Sequence, residues 1–110
     1  MADSVTVKQH DTWPPLKGIA SDENGAVDLS GATDITLVLK TGGTVVSGSC
    51  DAISPADGDG NNWQYTWQSG DTDMAGTYQG ELQVTWDTGE VETFPNDSYF
   101  TVIVMADLGP

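Results

Sequence analysis

The sequence predicts an all-β protein, a single sandwich of about eight short antiparallel strands. Apolar and polar residues alternate with period two in several short stretches, and no stretch carries a helical stripe. Turn clusters rich in Gly, Asn, Asp and Pro separate these stretches by roughly 8–12 residues, the spacing of strands in small sandwiches. A third observation is one turn, at residues 70–76, that runs straight into the longest alternating stretch.

Taken in order, residues 5–8 alternate and read as an opening edge strand. His10-Asp11-Thr12-Trp13-Pro14-Pro15 follows. Proline cannot donate to a ladder, so this is an irregular crossing, with Trp13 expected to fold back over the core. Residues 16–21 form a second strand, and Asp22-Glu23-Asn24-Gly25 turns it. Val27 and Leu29 give a short extended piece before a bend at residues 29–32. In 34–40, Ile35, Leu37 and Leu39 share one face. Thr41-Gly42-Gly43 turns the chain, and 44–46 returns as the hairpin partner. Residues 47–53 are expected to continue that strand past a bulge at Gly48.

Residues 54–62 form a loop, and 62–68 alternates with Trp63, Tyr65 and Trp67 on one face. Then comes the corner, Asp73-x-Ala75-Gly76-x-Tyr78. In immunoglobulin-like sandwiches such a turn precedes a strand whose first tyrosine hydrogen-bonds back to it. Two residues further on, an antibody domain carries a cysteine. Gly80 stands there instead, so the fold expected is immunoglobulin-like without the disulfide. Tyr78, Gly80, Leu82, Val84 and Trp86 share one face of the strand 77–86. Residues 87–89 turn into a strand at 90–94, and Pro95-Asn96-Asp97 breaks it. The last strand, 98–105, is apolar on both faces, so it lies inside a sheet or under a partner.

A chain of 110 residues supports one core. The domain is expected over 1–105, with 106–110 as a tail. Seventeen acidic residues against three lysines give a net charge of −14, which repels phosphate backbones and anionic membranes. Nucleic acid is therefore not an expected partner. The charge serves solubility or fits a basic partner. No apolar run is long enough to span a bilayer as a helix, and no secretory signal is read at the N-terminus. The single cysteine, Cys50, has no intrachain partner and is expected to be buried and inert.

Candidate chemistry is sparse. Asp57, Asp59 and Asn61 place oxygens at alternate positions, as a calcium loop does. Asn62 replaces the glycine of an EF-hand loop and Gln68 its bidentate glutamate, so a plain polar turn is the competing reading. Trp63 and Trp67 make a glycan-stacking platform if exposed and core if buried. His10 is the only histidine, with no nucleophile, metal spacing or phosphate loop beside it. No enzymatic activity, cofactor or metal is expected.

The run Val5 to Gln9, then Trp13-Pro14-Pro15-Leu16 and Val27-Asp28-Leu29-Ser30-Gly31-Ala32, resembles immunoglobulin-like domains of tailed-phage virion proteins. Ala75-Gly76-Thr77-Tyr78, Glu81 to Trp86, and Glu92-Thr93-Phe94-Pro95-Asn96 are similar to the same family, which includes the N-terminal domain of siphophage baseplate upper proteins. The resemblance covers nearly the whole chain. It implies a virion component, made in the host cytoplasm, that works by docking on other phage proteins. Baseplate proteins continue past this domain, whereas this sequence stops at Pro110. A small capsid-surface or decoration protein is therefore expected ahead of a tail or baseplate adaptor. Contact candidates are Val5, Val7, Trp13, Pro14 and Pro15. A module adhering to cell-surface glycans through Trp63 or Trp67 is the alternative of another class.

Overall fold

Period-two alternation needs a second layer to cover its apolar face, and the chain supplies one. The computed structural model describes residues 4–95 and 99–108. Their order is β1 (Ser4–Lys8), β2 (Leu16–Gly18), β3 (Ser21–Asp22), β4 (Gly25–Ala26), a 3-10 turn (Leu29–Gly31), β5 (Ala32–Thr41), β6 (Thr44–Ser49), β7 (Asp51–Ala52), β8 (Trp63–Tyr65), β9 (Gly76–Trp86), β10 (Val91–Phe94) and β11 (Phe100–Met105). The protein is all-β. The break expected at Asn96 and Asp97, the strand start at Ser98 and the tail's last two residues lie outside the described residues.

The large sheet runs β1-β11-β9-β5-β6, with β10 beside the far half of β9. Its inner face carries Val7, Val102, Val104, Tyr78, Leu82, Val84, Ile35, Leu37, Leu39 and Val46, all buried. The last strand lies between β1 and β9; its inner residues Val102 and Val104 are buried, while Ile103 is half-buried and Met105 exposed on the outer face. One expectation is corrected here. The sheet is mixed, because β1 runs parallel to β11. A parallel pair needs a long crossover, and between the first and last strands nearly the whole chain provides it.

A smaller sheet, β2-β8-β7, faces the large one, and β3-β4 forms a separate hairpin. Leu16 pairs with Tyr65, and Trp63 sits opposite Gly18. Trp63 meets Phe100 of the large sheet with ring centroids 5.8 Å apart. No bulge occurs at Gly48: the β5–β6 register is continuous, with Gly48 opposite Leu37. A Cβ at residue 48 would lie 2.7 Å from the Tyr65 ring. Glycine is needed there for the sheets to meet, not for a kink. The strand ends at Ser49, and after Cys50 the chain crosses to the small sheet as β7. The register shift in β5 falls instead between Ala32 and Asp34.

Other differences are local. The bend after Val27 is a 3-10 turn capped by Asp28, with the amide of Ser30, its second residue, donating to Oδ1 at 2.9 Å. That bond holds the Asp28 carboxyl below its usual pKa. The strand expected over 62–68 shortens to three residues, although Trp67 beyond it is still buried. Trp67 meets Tyr65 edge-on at 5.6 Å.

At the corner, Tyr78 Oη donates to the Met74 carbonyl at 2.7 Å. Burial pushes the phenol pKa up. Tyr78→Phe is expected to cost about 1 kcal/mol, the typical net worth of one hydrogen bond. Chemical denaturation would read this loss, and an unchanged midpoint would mean the bond contributes nothing.

Candidate docking surface

The corner also organises the end of the molecule. Gln9 Nε2 donates to the Asp73 carbonyl at 2.6 Å. The His10 amide donates to the Thr72 carbonyl at 3.1 Å, and Thr72 Oγ1 donates to the Asp11 carbonyl at 2.9 Å. His10 has a φ of 72°, so the chain turns sharply where it leaves β1. Its ring lies 3.2 Å from the Asp107 carboxylate and 3.8 Å from that of Asp73. The single histidine thus bridges exposed segments in a structural setting. The described residues hold no cluster of three or more metal-ligating side chains.

Two residues past Asp11 stands Trp13, 75% exposed. The expectation that it folds back over the core is overturned. The layer between the sheets is already filled by Trp63, Tyr65, Trp67 and Phe100, and the segment leaving the corner carries Trp13 outward. Pro14 is exposed and Pro15 half-buried. The other contact candidates divide. Val7 belongs to the core, facing inward opposite Val104. Burial removes it from any contact surface. Val5 is 38% exposed and lines a crevice of about 200 Å³ with Leu16, Ile19, Trp63, Phe94 and Phe100.

The glycan platform is also corrected. Trp63 and Trp67 are 4% and 5% exposed, so neither offers a free ring face to a sugar. Both are consumed by packing between the sheets.

In the acidic loop, Asp57 turns its carboxylate inward. Oδ1 accepts from the amides of Asp59 and Asn61 at 3.0 and 2.9 Å, and Oδ2 accepts from Asn61 Nδ2 at 3.2 Å. Lys17 Nζ lies 3.8 Å from Oδ2. These donors lower the Asp57 pKa, the Asn61 amide most of all. These bonds are those of the plain polar turn, with Asp57 serving the loop's own backbone.

Cys50 is half-buried, and desolvation pushes its thiol up to about 12. It stays protonated, and so weakly nucleophilic, across the neutral range.

Sequence reasoning missed Asn62. Its side chain is buried and holds the segment before and after the β3–β4 hairpin. Oδ1 accepts from the Ala20 amide at 2.7 Å, while Nδ2 donates to the carbonyls of Ala20 and Val27 at 2.9 and 2.8 Å. No sequence signal separates it from its polar neighbours in the loop.

Comparison of the chain with protein-family models, with curated proteins and with solved structures gave no match.

Proposed function

We propose that the chain is a non-enzymatic structural protein of a tailed-phage particle, an immunoglobulin-like sandwich that docks on the particle surface as a small decoration protein. The strand order supports the immunoglobulin-like reading. The large sheet joins the first strand to the last and continues through β9, β5 and β6, while β2, β8 and β7 form the facing sheet. The grouping of β11, β9, β5 and β6 against β2, β8 and β7 supports a variable-type division, in which strands are added beside the three of one sheet. The tyrosine bond at the start of β9 adds to it.

The observation that carries docking is Trp13. An indole 75% exposed beside two prolines is a large apolar surface held on a stiff segment. Aromatic anchors of this kind dominate the energetics of protein interfaces. Docked in many copies, even weak single contacts give firm attachment.

Electron cryomicroscopy of particles carrying the chain tests this. Density for the sandwich on a capsid lattice, with Trp13 in contact, is the expected result. Density at the tail tip would replace decoration with an adaptor role, and density on neither would overturn the proposal. Trp13→Ala should change stability by less than about 0.5 kcal/mol, as exposed substitutions do, while particle occupancy falls. Undiminished occupancy would exclude Trp13 as the anchor.

A further inference from the structure

Among the described residues, the strands of the large sheet carry no net charge on their outer face. We propose that two copies of the chain pair through it, face to face. This goes beyond docking on the particle and uses a different surface from Trp13.

The register defines the face. Residues paired with the buried positions of β1, β5, β9 and β11 point inward, so their neighbours point outward. The charged residues pointing outward from these strands and from β6 and β10 are Lys8, Lys40, Asp34 and Glu81, two of each sign. These strand positions therefore contribute nothing to the formal charge of −14. The remaining outward positions are mostly Thr, Ser, Gln and Val. None is buried, so no element among the described residues covers this face.

Charge argues for a second copy as the occupant. On other surfaces, two such chains bring carboxylates against carboxylates, and like charges in contact are strongly disfavoured. On this face the charges complement themselves. Asp34 and Lys40 lie on β5, three residues either side of Leu37, which is paired with Leu82 of β9. A two-fold axis crossing the strands at the Leu37–Leu82 level places Lys40 of each copy over Asp34 of the other. The same axis places Glu81 over Gln83 rather than over a second Glu81. A two-fold interface must be self-complementary in this way. Five strands spaced about 4.8 Å apart offer on the order of 600 Å² in projection, near the ~800 Å² per partner of a standard interface.

Sedimentation equilibrium of the purified chain at physiological salt tests the pairing. The expected result is a mass rising with concentration from 11.6 kDa toward twice that value. Lys40→Glu should weaken association at least tenfold by setting carboxylate against carboxylate. Lys40→Glu combined with Asp34→Lys should restore it. Gln83→Glu, which faces Glu81 across the axis, should weaken it similarly. All three side chains are exposed, so unfolding midpoints should not move and lost association would not report lost folding. A monomer up to about 1 mM would overturn the proposal, as would a double variant no better than Lys40→Glu alone. A monomer whose Gln83→Glu variant no longer binds particles would assign the face to a different protein, and would likewise overturn self-pairing.

Discussion

Asn62→Ala is expected to lower the unfolding free energy by about 3 kcal/mol, three hydrogen bonds at roughly 1 kcal/mol each. The Asn62 side chain makes three bonds to the backbone of Ala20 and Val27, and Asn62 and Ala20 are both buried. The partners do not lose equally. The Ala20 carbonyl keeps a bond from the Val27 amide at 2.9 Å. Among the described residues the Ala20 amide has the Asn62 oxygen alone, and a buried donor left unpaired costs more than the bond itself contributed. Asn62→Asp separates the terms. It retains the acceptor for Ala20 but turns a second oxygen toward two carbonyls. That contact disfavours the carboxylate, so its folded-state pKa rises above the unfolded value. The Asp variant should therefore be least impaired at acid pH and lose stability as pH rises through the folded pKa. Urea unfolding of both variants at two pH values checks this. A loss below about 1 kcal/mol for Asn62→Ala would mean that water enters and replaces the amide.

The same residue shows where sequence reasoning stops. Alternation places residue 62 on the face opposite Trp63 and Tyr65, the face turned from the core. It is buried because residues 20–27 return across that side, a long-range contact that period two does not encode. Trp13 fails in the opposite sense. Hydrophobicity says a tryptophan gains by burial, but not whether space remains, and four other aromatics already fill the layer. The strands that read most fully, β5 and β9, are long enough for alternation to be unambiguous. Two-residue strands such as β7 have no period to detect. Gly48 was read as a kink because glycine in a strand is consistent with either a bulge or a close approach, and only the Tyr65 ring decides. The sheet face without net charge is spelled out residue by residue in the sequence, yet it becomes a surface only once the registers bring Lys8, Asp34, Lys40 and Glu81 into one plane.

Gly80→Val is expected to cost about 3 kcal/mol, at the upper end of what overpacking a tight core removes. On the proposed immunoglobulin-like reading Gly80 stands where an antibody domain has its cysteine, and the space beside it is already taken. A Cβ at residue 80 would sit 2.6 Å from Phe100 Cζ and 2.8 Å from Leu39 Cδ2. Phe100 is opposite Gly80 on β11 and packs against Trp63 of the facing sheet. At this level the two sheets are therefore joined by a tilted pair of rings, and the glycine makes room for one of them. If so, shortening the ring should relieve the clash. Phe100→Leu alone loses packing, but Gly80→Ala with Phe100→Leu should lose less than the two single changes added together, a coupling expected for residues in contact. Denaturant unfolding of the four proteins in the cycle measures it. Strict additivity would show that the Phe100 ring can move aside at no cost, and that glycine at this position reflects the backbone of β9 rather than the aromatic layer between the sheets.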